Sequence, residues 1–259
     1  MSALLLHGLG SDRRQPLELF SPALAAEGHA DRILALDVRA HGDSPLVGDP
    51  DDFALDRLAA EVAAQAVAEL GDDPGPLTVI GISMGAAIAL RLALDDLLPV
   101  TRAVFARPSF TDEPMPENLR AFPVIGQLLH EAGPIGAEEF RATALYADVE
   151  RESPTGAQAL LAQFAAPDAE RRAIRLVEVP RNRAFTDDAE LAGLGRRGIR
   201  SLVIGARRDP VHPLPIAERW AAGLGATLEV APARDDGRAA QARAIREALG
   251  RWLVGAGAL

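Results

Sequence analysis

Short apolar runs with β-type composition alternate along the chain with longer stretches whose apolar residues recur at helical spacing. The runs fall at residues 3–6, 32–36, 77–80, 103–105, 200–204 and 227–230, so six strands are predicted. They are apolar throughout rather than alternating, the pattern of parallel strands covered by helices on both faces. Between them, residues 16–27, 55–70, 84–94, 213–223 and 238–253 read as amphipathic helices; Leu58, Val62, Ala66 and Leu70 form one stripe. Strand–helix alternation of this length predicts an α/β fold with a doubly wound, mostly parallel sheet, whose ligands bind at the carboxyl ends of the strands.

The alternation breaks between about residues 109 and 198. Helical patterns at 137–146, 154–164 and 169–177, punctuated by Pro and Gly, predict an inserted helical segment there. The expected organisation is therefore a core made of residues 1–108 and 199–259, with a helical lid at 109–198 over the sheet's carboxyl edge. A plain elaboration of the sheet edge is the alternative.

Composition narrows the chemistry. The 259 residues, 48% of them hydrophobic, suffice for one large core. No cysteine is present, which excludes thiol nucleophiles, disulfides and cysteine-held metals, and all 27 basic residues are arginine. Without lysine there is no P-loop lysine, no Schiff base and no serine–lysine pair. A net charge of −10 with no basic aromatic run disfavours nucleic acid as a partner. No apolar stretch reaches bilayer length and the first residues carry no cationic leader, so a cytoplasmic protein without a membrane partner is expected. No histidine–carboxylate pair has metal-ligand spacing; neither metal nor cofactor is expected.

Three segments carry chemistry. Gly81-Ile82-Ser83-Met84-Gly85 follows an apolar strand and opens a helix. A Gly-X-Ser-X-Gly bend there forces the serine into a strained conformation that lifts its hydroxyl above the sheet, and its glycines avoid collision with neighbouring backbone. The Met84 amide, at a helix N-terminus, can then stabilise an oxyanion. Leu6-His7-Gly8-Leu9-Gly10 ends the first strand and can supply a second such amide from Leu9. Asp37-Val38-Arg39-Ala40-His41-Gly42 ends the next strand, with its histidine read as structural, as is His29.

With these segments in this order the chain resembles the α/β-hydrolase family over essentially its whole length. The resemblance implies Ser83 as nucleophile, Leu9 and Met84 as oxyanion hole, and an acid in the loop after the strand that follows the lid, where Asp209 stands. A turn-starting, helix-capping role is the plain alternative for that Asp-Pro. Two departures accompany the likeness. The family has two further strands before the His-Gly strand, so a shortened sheet is expected, with an edge that a second copy could cover to form a homodimer. The family's histidine belongs after the last strand, yet that loop reads Val230-Ala231-Pro232-Ala233-Arg234-Asp235-Asp236-Gly237, and no histidine follows His212.

A serine hydroxyl needs a base within hydrogen-bond reach. Where a serine protease loses its histidine, turnover falls on the order of 10⁶, roughly 8 kcal/mol. His212 is the best-placed substitute, on the same loop as Asp209; facing solvent at the start of the next helix is its alternative. His7 can approach through the oxyanion strand and His130 through the lid, and Asp235 and Asp236 are weak bases. Ser83, Asp209 and His212 are thus the candidate catalytic residues, with His7, Gly8, His130 and Phe110 as candidate substrate contacts. Phe110, Leu119, Phe122, Leu128, Phe140, Tyr146 and Phe164 predict an apolar pocket. The expected function is hydrolysis of a small, fairly apolar ester, thioester or lactone through Ser83. The alternative is a non-hydrolytic homologue, binding a ligand or running lyase, cyclase or isomerase chemistry in the same pocket.

Overall fold

The computed structural model describes residues 2–26, 28, 32–71 and 74–255. Its strands are β1 (Ser2–Leu6), β2 (Ile33–Leu36), β3 (Leu77–Ile82), β4 (Val100–Ala106), β5 (Arg200–Ala206) and β6 (Thr227–Ala231). They form one six-stranded sheet in the order β2-β1-β3-β4-β5-β6, with every pairing parallel. The expected fold class holds.

Core helices lie where periodicity placed them: α1 (Arg14–Ala26), α2 (Leu55–Leu70), α3 (Met84–Leu94), α10 (Leu214–Leu224) and α11 (Arg238–Val254). Glu27, the last residue of the first expected helix, and His29 lie outside the described residues. The strand pleat divides the apolar side chains in two, as a period of two requires. Leu4, Leu6, Val79, Phe105 and Val203 face α2, α3 and α10. Leu5, Ile80, Val104, Leu202 and Ile204 face Phe20 and Leu24 of α1 and Ile245, Leu249 and Trp252 of α11. Each fully buried Leu or Ile contributes about 1.5–3 kcal/mol by leaving water, before the entropy cost of ordering it.

Between β4 and β5 the chain is helical, but its divisions differ from the expected ones. The stretch 137–146 is two helices, α5 (Gly136–Arg141) and α6 (Ala144–Glu152), because the Thr143 hydroxyl accepts the Tyr146 amide at 3.1 Å and starts a new helix. Only α8 (Ile174–Glu178) remains of 169–177. Helix α7 (Pro154–Leu161) was expected, whereas α4 (Ala121–Ala132) and α9 (Asp188–Arg196) were not. In α4 the apolar stripe Phe122, Ile125, Leu128 and Leu129 is interrupted by Pro123 in the first turn, where proline is tolerated.

Strand order reverses between β1 and β3, which places their carboxyl ends on either side of a crevice, the usual ligand position in open α/β sheets. Among the described residues no helix is long and apolar enough to cross a membrane, and no group of three His, Asp or Glu side chains is placed to hold a metal ion.

Candidate active site

At the end of β3 the chain turns through Ser83 into α3, and Ser83 sits at φ 56°, ψ −117°, a strained region for a residue with a side chain. The two glycines of the bend permit it. A Cβ on Gly81 would lie 2.0 Å from the Gly85 carbonyl oxygen, and one on Gly85 would lie 2.4 Å from that of Leu6 on β1. The Ser83 amide donates to the Ala106 carbonyl at 3.0 Å, fastening the bend to β4. Its hydroxyl oxygen opens into a cavity of about 290 Å³ at the carboxyl ends of β1, β3, β4 and β5, roofed by residues of α4 and α7.

His212 enters this cavity from the loop after β5. Its Nε2 is 2.9 Å from Ser83 Oγ and its Nδ1 is 3.0 Å from Asp209 Oδ1. The three-residue spacing is what makes this possible. Asp209 Oδ1 also accepts the His212 amide at 3.1 Å, closing a side-chain turn that folds the ring back over the carboxylate. The turn expected of Asp209 is thus present, whereas α10 has Pro213 at its N-terminal cap and takes no side-chain cap from Asp209. The solvent-facing alternative for His212 is not what the fold adopts, since the residue is 9% exposed. Asn118 Nδ2 ties the arrangement down by donating to the carbonyls of Val211 at 2.7 Å and Ser109 at 3.0 Å.

Arg107, just past β4, was missed in the sequence because nothing around it forms a motif. Its Nε donates to Asp209 Oδ2 at 2.8 Å, its Nη2 pairs with the same oxygen, and Nη2 is also 2.9 Å from His212 Nδ1. Burial alone would raise the Asp209 carboxyl pKa, but the charges of His212 and Arg107 outweigh it and hold it well below the usual carboxylate range. For His212, burial is the largest effect and pulls the imidazole below its ordinary value; Asp209 opposes this and Arg107 adds to it. The ring is thus neutral at pH 7, and with its hydrogen on Nδ1 it can accept a proton from the serine at Nε2. Ser109, also missed, sets a second hydroxyl 3.4 Å from Ser83 Oγ.

The loop after β1 is held open from below. Gly8 N–H donates to Gln15 Oε1 at 2.8 Å and Gly10 N–H to His41 Nε2 at 3.0 Å, while no loop or side-chain acceptor among the described residues takes the Leu9 amide between them. Met84, whose side chain is fully buried, opens α3 with its amide at the helix N-terminus. Gln163 from the helical segment lies over Gly10, its Oε1 buried without a hydrogen-bond partner.

Ser83, Asp209, His212, Gly8 and Leu9 accordingly share one cavity, and three of the expected substrate contacts lie elsewhere. His7 is fully buried: its Nδ1 meets the Gly8 carbonyl at 2.9 Å and its Nε2 accepts the Val38 amide at 3.0 Å, so it braces the β1 and β2 loops. Phe110 is 1% exposed in the core, where its carbonyl accepts the Trp220 indole N–H at 2.9 Å. His130 lies on the outer side of α4, in a groove with Val47, Gly48 and Glu170. Of the aromatic residues expected to wall the pocket only Phe122 does so. Phe140, Tyr146 and Phe164 pack on one another instead. The lining is mixed, with Gln15, Gln158, Gln163, Arg107, Arg234 and Arg238 beside Leu160 and Val211.

Neither acid of the loop after β6 points at the serine. Asp235 accepts the Ser153 hydroxyl and the Thr155 amide, the latter at 2.8 Å, at the start of α7, and Asp236 pairs with Arg208.

Comparison with known proteins agrees with this architecture. Residues 3–247 match the alpha/beta hydrolase family. Protein phosphatase methylesterase 1 of Homo sapiens is 38% identical over 96 residues, which span 37% of this chain and 24% of that protein; the Bos taurus protein matches to the same extent. Among solved structures, a thermophilic esterase from Thermogutta terrifontis superposes with TM-score 0.69 at 19% identity, covering 98% of this chain and 90% of that one. The enol-lactonase from Burkholderia xenovorans LB400 gives 0.67 at 21% identity, covering 97% and 90%. At those identities the two structures speak for the fold alone, and the match along residues 3–247 settles lineage: the chain belongs to the alpha/beta hydrolase family.

Proposed function

We propose that this protein is a serine hydrolase that cleaves a small ester, thioester or lactone, with Ser83 as nucleophile, His212 as general base and Asp209 as the group that orients it. The observation that carries the reading is the continuous path of hydrogen bonds, 2.9 Å from Ser83 Oγ to His212 Nε2 and 3.0 Å from His212 Nδ1 to Asp209 Oδ1. As Oγ attacks the substrate carbonyl, Nε2 takes its proton, and the Asp209 carboxylate stabilises the imidazolium through Nδ1–H. Negative charge on the carbonyl oxygen is met by the Leu9 and Met84 amides. The tetrahedral intermediate expels the alcohol or thiol, which receives the proton from Nε2, and water activated by the same ring releases the acid from Ser83. The helical segment 109–198 serves as a lid, supplying Phe122, Leu160 and Gln163 to the cavity roof.

A fluorophosphonate probe tests this. Labelling of the folded protein that disappears in Ser83→Ala and His212→Ala, together with turnover of short 4-nitrophenyl esters, supports the mechanism; a folded, unlabelled protein without esterase activity overturns it. One observation favours the second reading, binding or non-hydrolytic chemistry in the same pocket. Arg107 has only donors, and donating to His212 Nδ1 would put the ring hydrogen on Nε2, where it cannot accept the serine proton. Ligand binding retained by Ser83→Ala, with no ester turnover by the parent protein, selects that reading.

A further inference from the structure

Three guanidinium groups line the Ser83 cavity, and among the described residues only that of Arg107 has an ion-pair partner. Arg107 meets Asp209. Arg234 and Arg238 make no hydrogen bond or ion pair through their side chains among the described residues, although Arg234 is half-buried. The carboxylates near them are committed elsewhere: Asp209 to Arg107 and His212, Asp235 to Ser153 and Thr155, Asp236 to Arg208. Glu18 lines the groove that continues from the cavity past Arg234 and Arg238, yet pairs with neither.

An uncompensated, partly desolvated cation is costly, and like charges nearby add to the cost. Burial lowers the Arg234 pKa, and the charges of Arg107 and Arg238 lower it further against the pull of Asp209 and Asp235. Arg238 compounds the imbalance. It is the first residue of the 17-residue helix α11, whose first turn holds no acid, so a cation sits at the positive end of a helix dipole. In a chain of net charge −10, this concentration of positive charge beside the nucleophile is a local exception.

We propose that the Ser83 cavity takes a substrate carrying a carboxylate in addition to its scissile ester, thioester or lactone, and that Arg234 and Arg238 hold that carboxylate. The inference deepens the hydrolase reading and rests on it. A planar carboxylate matches the guanidinium fork of Arg234 and offsets the charge of both arginines. The loop after β6, which lacks a histidine, and the first residue of α11 supply the substrate anchor, while the proposed base has its place on the β5 loop. Both lie at the same carboxyl edge, so the two functions are separated by one strand.

Paired substrates of similar length test it: mono-4-nitrophenyl glutarate, with its free carboxylate, against 4-nitrophenyl butyrate. The expected result is that kcat/KM favours the glutarate by about ten- to a hundredfold, the worth of one charged hydrogen-bonded pair. In Arg234→Gln/Arg238→Gln the ratio falls toward one, through a higher KM for the glutarate. Turnover of both esters without preference, in protein that a fluorophosphonate labels at Ser83, overturns the inference and leaves the hydrolase reading standing. Where neither ester turns over and Ser83 is unlabelled, the hydrolase reading fails. Calorimetry with Ser83→Ala then decides the anchor alone: monomethyl glutarate binding in preference to dimethyl glutarate, lost in the double arginine variant, sustains it, and equal or absent binding sinks it.

Discussion

Arg107 Nη2 lies 2.9 Å from His212 Nδ1, the same nitrogen that lies 3.0 Å from Asp209 Oδ1. One nitrogen therefore faces a group that can only donate and a group that, ionised, can only accept. A hydrogen on Nδ1 serves Asp209 and frees Nε2 to act as base; its absence serves Arg107 and blocks Nε2. The guanidinium also bonds Asp209 Oδ2, so it fixes the carboxylate's orientation while reducing its pull on the ring.

Arg107 should for that reason tune the pH at which the site works. Its charge is one of the causes that lower the His212 pKa. With His212 as the proposed base the neutral ring is the active form, so activity should persist just below pH 6.5 and be lost as pH falls through the lowered value. Replacing Arg107 by Met removes a lowering influence and leaves Asp209 to raise the pKa, which moves the acid limb of kcat/KM to higher pH. Arg107→Lys keeps a charge and is expected to restore much of the limb's position. An unchanged limb in Arg107→Met would limit Arg107 to a structural role.

Ser83, His212 and Asp209 should behave as one unit. Removing the base, His212→Ala, is expected to lower kcat by about 10⁴–10⁶, and Asp209→Asn by on the order of 10⁴. Because each change disables the same proton transfer, Ser83→Ala/His212→Ala should be hardly slower than Ser83→Ala alone. Multiplicative losses in single-turnover assays would show that the three residues act independently.

How much of this was legible follows from the range of the interactions involved. Strand runs and the Ser83 bend are local, set by apolar patterning and by glycines two residues to either side of the serine, and both could be read directly. So could the placing of Asp209 and His212 on one loop. What the sequence withheld was the direction of the ring, because the turn closed by Asp209 Oδ1 and the His212 amide is one of several open to an Asp-Pro segment. Arg107, Ser109 and Arg234 were missed for a different reason: they come from loops after β4 and β6, and only the folded sheet edge brings them beside Ser83. The assignment of His7 and Phe110 to the pocket failed on side-chain direction. His7 directly follows β1 and its ring accepts the Val38 amide beneath the loop, and the Phe110 side chain is buried in the core at 1% exposure.

Backbone crowding at the serine bend predicts a structural rather than a chemical failure on substitution of Gly85. A Cβ there meets the Leu6 and His7 carbonyl oxygens at 2.4 and 2.7 Å, contacts that neither β1 nor α3 can relieve without separating. Gly85→Ala should cost several kcal/mol, within the range of overpacked core changes. Urea unfolding should report a lower midpoint with an unchanged slope. Gly250→Ala in α11, where a Cβ meets nothing within 4 Å, is the control and should be neutral or slightly stabilising.

Stability should fall with acid, and the loop after β1 should go with it. His7 and His41 face each other with ring centroids 4.8 Å apart, and each accepts a backbone amide at Nε2, from Val38 and from Gly10. Both have lowered pKa values: burial dominates in each, and for His41 the neighbouring His7 and Arg175 charges lower it further, well below the ordinary value. His212 shares the direction. In the unfolded chain these rings titrate near pH 6.5, so below that pH the unfolded state binds protons that the folded state refuses. Their stabilisation is complete above pH 6.5 and is lost at up to about 1.4 kcal/mol per pH unit for each ring as pH falls toward the folded values. The melting temperature should accordingly drop between pH 7 and pH 5. His41→Gln, whose amide oxygen can still accept the Gly10 N–H but does not titrate near neutrality, should flatten that drop while lowering stability at pH 7. A melting temperature equally steep in pH for His41→Gln and the parent would place the acid sensitivity in other groups.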